Sequence, residues 1–139
     1  MMPARPEPRF FLDRGLGSHL VPSGLRDRGW HVTTMDERYG PTASQSVADT
    51  DWIRDASERG ECLLTKDAAI AKNSTEADII YNCDARVFTI TDARITGPEI
   101  LARFVRYEAD IFRWAARVQP PFVLGLGAVE SRRLKLNRP

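Results

Sequence analysis

The chain has 139 residues, enough for one domain that buries roughly two-thirds of the surface its unfolded form exposes, with no need of disulfides or a structural metal. Its 20 Lys plus Arg against 19 Asp plus Glu leave no overall field that demands a nucleic-acid or membrane partner. No stretch approaches the ~20 apolar residues of a membrane span, and Cys62 and Cys83 lack metal-ligand spacing and suit a reducing compartment, so a cytoplasmic protein is expected.

Residues 1–8 carry prolines and no apolar run, and are expected to be flexible. Arg9-Phe10-Phe11-Leu12 then reads as a first strand that delivers Asp13 at its tip. Ser18 is expected to cap a helix with Leu20, Val21 and Leu25 on one face, stopped by Gly29. Residues 30–34 alternate and are β-rich, which completes a βαβ unit with parallel strands. Residues 35–48 are polar and marked by glycine and proline, and read as a long loop. Asp49-Thr50-Asp51 opens a helix with Trp52, Ile53 and Ala56 inward, closed by Gly60. The apolar run 61–65 is a third strand, ending in Lys66 and Asp67.

A short helix over 68–72 follows, then a polar break at 73–75 and a second short helical piece with Ile79, Ile80 and Tyr81. Residues 86–91 form a fourth strand that again ends in an acid, Asp92. Thr96-Gly97-Pro98-Glu99 resembles a capping box and starts the longest helix, whose apolar period persists to about residue 118. Residues 121–125 are a last buried strand. Residues 129–139 read as a basic tail with Arg132, Arg133, Lys135 and Arg138, suited to a nucleic-acid or protein contact or simply to solvent.

An Asp after a strand often only caps the next helix or makes a turn. Three of five expected strands ending this way is a stronger pattern, because parallel strands bring Asp13, Asp67 and Asp92 to one sheet edge. Two carboxylates ~5 Å apart at an effective dielectric of ~20 repel by roughly 3 kcal/mol, so such a cluster persists only with protons or a cation. Mg²⁺ or Mn²⁺ is the natural counterpart. In the helix after residue 48, Asp49 falls within the inward stripe while Asp51 points to the far side, so Asp49 is the better inward ligand and Asp51 the second candidate; a plain helix-capping role for Asp49 stays open. Thr65 is placed to hold the Asp67 carboxylate, and Lys66 or Arg14 to meet a phosphate. His19 and His31 form no nucleophilic arrangement, and the Gly15-Leu16-Gly17 and Gly125-Leu126-Gly127 pairs lack the third glycine of a dinucleotide fingerprint.

The run Phe11-Leu12-Asp13 with its Gly-Leu turn, the segment 24–32, Asp49-Thr50-Asp51-Trp52-Ile53 and Leu63-Leu64-Thr65-Lys66-Asp67 together resemble the PIN-like domains, within them the VapC-type toxin-like branch. The resemblance implies a single Rossmann-like three-layer α/β domain over residues 9–128, with a mainly parallel central sheet. It further implies an Mg²⁺- or Mn²⁺-dependent endoribonuclease, the toxin of a toxin-antitoxin pair. Matched to that pattern, the first acid is Asp13, the helix acid Asp49 or Asp51, and the acid of the Thr-x-Asp motif Asp67, with Arg14, Thr65 and Lys66 on the substrate side. Asp92 has no counterpart. The implied partners are an RNA substrate, a small antitoxin protein and, as an option, a second copy of the chain; no membrane is involved. A catalytically silent RNA-binding or protein-interaction module is the alternative, and a phospho-acceptor receiver domain the minor one.

Overall fold

The computed structural model describes residues 7–92 and 94–137. Apolar runs too continuous for a one-sided sheet put every central strand between two helical layers. The strands are β1 (Arg9–Leu12), β2 (His31–Thr34), β3 (Cys62–Thr65), β4 (Arg86–Ile90), β5 (Phe122–Leu126) and β6 (Ser131–Leu134). They form one sheet in the order β2-β1-β3-β4-β5-β6, parallel except for β6, which runs antiparallel to β5. The α/β class, the three layers and the mainly parallel sheet are as expected.

Alternation along each strand divides the core. Phe10, Leu12, Leu64, Phe88 and Leu124 pack with α1 (Leu20–Asp27), α5 (Gly97–Arg106) and α6 (Glu108–Arg117). Phe11, Leu63, Val87 and Val123 pack on the other side with α3 (Asp49–Glu58) and α4 (Ser74–Asn82). The chain leaves β1 toward β2 on one side and returns as β3 on the other. That reversal falls at the carboxyl ends of β1 and β3, the place where the topology of open α/β sheets puts their ligand crevice.

Four local expectations are corrected. The 35–48 segment is no plain loop: α2 (Met35–Tyr39) follows β2 directly, and a 3-10 turn spans Ala43–Ser46. Thr34 and Glu37 form a full capping box, each side chain bonding the other's backbone N–H. Ser18 caps nothing, since α1 starts at Leu20 behind His19 without a side-chain cap. The long helix is broken at Tyr107, where the Tyr107 hydroxyl donates to the Gly127 carbonyl and Arg106 donates to Ala128 O, while Glu108 beyond the break takes Arg28 and Trp30 Nε1. These anchors hold the chain on both sides of the one-residue break, whose residue Tyr107 has φ -98° and ψ 14°. The segment read as a basic tail supplies β6, and Leu134 and Leu136 pack on the second core. Asn137 closes it onto the 3-10 turn Ala68–Ala71, its N–H donating to Ala71 O at 2.8 Å. Of the remaining terminal expectations, residues 1–6 and Arg138 lie outside the described residues.

α2 is held by a bidentate ion pair, Arg38 to Glu61 at 2.6 and 2.7 Å, with the guanidinium 4.5 Å from the Phe11 ring centroid. Both side chains are nearly out of water, at 11% and 4% exposure, so removing one leaves a buried charge unmatched. Arg38→Met is expected to lower the free energy of unfolding by about 3 kcal/mol in a urea titration, and adding Glu61→Leu to recover most of that loss. Equal stability of wild type and Arg38→Met would contradict the role given to the pair.

Candidate active site

β1 ends at Leu12, but its pairing with β3 continues for one more residue, since the Asp13 N–H donates to Leu64 O at 2.9 Å. Asp13 is thereby set beside Thr65. The Thr65 hydroxyl, fully buried, donates to Asp13 Oδ2 at 2.8 Å and accepts the Asp67 N–H at 3.0 Å. One hydroxyl therefore fixes the side chain of the first acid and the backbone of the third. Asp67 itself is exposed, and its Oδ1 caps the following 3-10 turn by accepting the Ala69 N–H at 3.0 Å. Asp49 opens α3, half-buried, and its Oδ1 accepts Trp52 Nε1 at 2.9 Å. Trp52 is wholly enclosed in the core, so the core itself aims this carboxylate. Asp51 is exposed and faces Arg54 at 3.5 Å.

A fourth acid joins them. Glu76, in the first turn of α4, has its carboxyl pushed up to about 7, first by burial and then by the charges of Asp49 and Asp67, a hydrogen bond with Asp49 and the charge of Asp13. Glu76 thus faces the three acids expected from the sequence. Burial and the charge of Asp49 also raise the Asp13 carboxyl, against the lowering effect of the Thr65 hydrogen bond. The sequence contained a sign of Glu76. Asn73, taken as a break, is the N-cap of α4 and accepts the N–H groups of Thr75 and Glu76, and Glu76 lies four residues before the buried Ile80. The carboxylates stand around the crevice without closing into a tight cage: among the described residues no three His, Cys, Asp or Glu side chains form a ready-made metal nest.

The expected substrate contacts are redistributed. Arg14 donates to the carbonyls of Ser44, at 3.1 Å, and Val47, and stands 3.7 Å from Asp49 Oδ1, so it ties the loop before α3 to the site instead of lying free for a phosphate. Thr65 has no surface with which to touch a substrate and holds the Asp13 carboxylate, not that of Asp67. Lys66 is half-buried and lies alongside Asp13: a methyl group on Gly15 would sit 3.5 Å from Lys66 Cε and 4.0 Å from Asp13 Oδ2. Asp92 is engaged by Arg103 at 2.8 Å on the α5 side.

Comparison with known proteins gives a consistent result. Residues 8–92 match the family described as PIN like domain. A Mycobacterium tuberculosis protein named "Putative ribonuclease VapC45" is 42% identical over 113 residues, which cover 81% of this chain and 81% of that one. No solved structure matches.

Two outcomes follow from the geometry. Because the Glu76 carboxyl titrates near 7 in the folded protein against 4.5 when free, the folded state holds a proton that the unfolded state has released. Its contribution is therefore intact below pH 4.5 and is lost as pH rises through 7. In chelator, Glu76→Gln should melt progressively above wild type as pH rises from about 4.5 to about 7, hold that difference above it, and coincide with wild type near about pH 4; a pH-independent difference would exclude the carboxylate cluster as the cause. Thr65→Val, nearly isosteric, should lower stability by about 1 to 3 kcal/mol through the partners it leaves unmade at Asp13 and Asp67, read by urea unfolding.

Proposed function

The chain belongs to the PIN-like domain family, and on that premise we propose that it is a divalent-metal-dependent endoribonuclease of the VapC toxin type, acting at the crevice that Asp13, Asp49, Asp67 and Glu76 face. The observation that carries this reading is the way buried groups aim acids from separate elements at one place, the Thr65 hydroxyl holding Asp13 at 2.8 Å and the backbone of Asp67 at 3.0 Å, and the Trp52 indole holding Asp49 at 2.9 Å. The donor set consists of hard carboxylate oxygens from four places in the fold, after β1, in α3, after β3 and in α4, which suits Mg²⁺ or Mn²⁺ held with part of its water shell. Asp13, Asp49, Asp67 and Glu76 would hold it. When bound, such an ion supplies a water of lowered pKa and a positive centre for the charge that develops on a phosphodiester.

The rest of the chemistry belongs to side chains of this chain. Thr65 keeps Asp13 in one rotamer, and Trp52 does the same for Asp49, so two of the oxygen donors are preorganised by buried groups. Lys66, beside Asp13, offers a point charge to a phosphate oxygen of the substrate. In this reading the substrate is RNA, a small antitoxin protein is the partner that silences the site, and the protein works in the cytoplasm. Membership of this family takes the place of the receiver-type alternative. One observation favours a second reading, a silent module that binds RNA or a partner without cutting: the acids are not drawn into a closed cage.

Asp13→Asn and Asp67→Asn are each expected to reduce Mn²⁺-dependent cleavage of single-stranded RNA by on the order of 100-fold or more and to abolish growth inhibition on expression. Asp51→Asn should cleave as wild type does. Cleavage that survives both active-site substitutions would sink the assignment, and tight RNA binding by wild type with no cleavage in Mn²⁺ would select the silent module.

A further inference from the structure

The row of residues that begins at Asp13 continues across the sheet beyond the acids. Cross-strand partners share a face, and Thr65 pairs with Thr89, Thr89 with Gly125, and Gly125 with Arg132. Four strand spacings of ~4.8 Å set Arg132 roughly 19 Å from Asp13 along this row. Thr65 and Thr89 are fully buried and Gly125 is buried too, so the row is closed between its two ends and reaches the surface again only at Arg132.

Beside it a cleft of about 290 Å³ is lined by Thr91, Gly125, Gly127, Ala128, Val129, Glu130 and Arg132. A methyl group on Gly125 would lie 3.0 Å from Thr91 Cγ2 and 3.2 Å from Leu134 Cδ2, and one on Gly127 only 2.8 Å from Glu130 O. Neither position takes a side chain without displacing its neighbours, so the floor is bare backbone. The turn around it is held from behind by α5 and Tyr107: the carbonyls of Leu126, Gly127 and Ala128 accept from Arg103, Tyr107 and Arg106. Arg132 is exposed and, among the described residues, makes no hydrogen bond or ion pair, with Glu130 included. The Gly127 N–H is given to Glu130 O at 3.0 Å, so the floor supplies shape and the uncommitted guanidinium supplies the recognition of a phosphate, which Arg engages through two parallel N–H donors.

Resting on the ribonuclease reading, we infer that Arg132, above Gly125 and Gly127, forms a second phosphate subsite that takes a backbone phosphate of single-stranded RNA more than one nucleotide from the bond cleaved at the acids. Proteins that track single strands do so with positive charge spaced along the backbone path, and this arrangement supplies it at the same sheet edge as Lys66. A contact so far from the reacting phosphate holds the strand without touching the chemistry. It therefore acts on KM and only for substrates long enough to span the two points.

The test is steady-state cleavage of a single-stranded RNA of about ten nucleotides, and of a dinucleotide, by wild type, Arg132→Gln, Arg132→Lys and Arg117→Gln, the last removing an exposed charge on α6. Arg132→Gln is expected to raise KM for the long RNA roughly tenfold with kcat unchanged, and to reduce the slope of log affinity against log salt by about one. Arg132→Lys should recover part of the loss, and the dinucleotide should not register the change. Equal shifts for Arg132→Gln and Arg117→Gln, or an equal effect on the dinucleotide, would overturn the subsite while leaving the ribonuclease reading intact. Fluorescence anisotropy of the long RNA on Asp13→Asn protein separates the two failures. If wild type does not cleave but Arg132→Gln still weakens binding, the ribonuclease reading fails and the subsite stands; if binding is absent or unchanged, the subsite falls.

Discussion

The site depends on one buried hydroxyl. Thr65 donates to Asp13 and accepts from the backbone of Asp67, so a single side chain at the end of β3 sets the geometry of acids from two strands. It can do so because β1 and β3 are neighbours at the point where the strand order reverses, and because the Asp13 N–H to Leu64 O bond carries their register one residue past the strand. The core contributes the rigidity. Phe10 and Phe11 fill opposite layers, which leaves β1 no freedom to slide or roll without opening a cavity on one face or the other.

Holding carboxylates together in this way opposes their own electrostatics. Asp13 and Glu76 respond by keeping their protons more tightly than free side chains do, with burial as the first cause in each case. Trp52 prevents the simplest escape, rotation of Asp49 away from the crevice, by donating its indole N–H from a wholly buried position. Arg14 relieves part of the repulsion but is tied to the carbonyls of Ser44 and Val47, so it cannot collapse into the centre and neutralise it. The outcome is a locally unfavourable arrangement supported by favourable packing around it, a common feature of functional sites.

Much of this was legible in the residues. Continuous apolar runs ending in an acid located β1 and β3, and the helical stripe of Trp52, Ile53 and Ala56 chose Asp49 over Asp51. What stayed hidden has physical reasons. Glu76 sits in a short helix whose cap, Asn73, was read as a break, because Asn serves both purposes and only the partner of its side chain decides. The Thr34 and Glu37 capping box had its full signature, yet it follows a strand with no loop between, where a helix start is not looked for. The break at Tyr107 leaves the apolar period undisturbed, since it is imposed by contacts with residues 127 and 128 far along the chain. β6 is an edge strand with Arg132 and Arg133 at its centre, and edge strands need no apolar pattern to pair through their backbones. The direction of the Thr65 hydroxyl, toward Asp13 and not Asp67, is likewise a tertiary fact.

The central claim is that four carboxylates from β1, α3, α4 and the end of β3 serve one divalent ion, and calorimetric titration with Mn²⁺ tests it most directly. Wild type should bind in a one-to-one complex, and Asp13→Asn, Asp49→Asn, Asp67→Asn and Glu76→Gln should each weaken that binding by roughly tenfold or more. No measurable binding to wild type, or a Glu76→Gln protein that binds as wild type does, would contradict it.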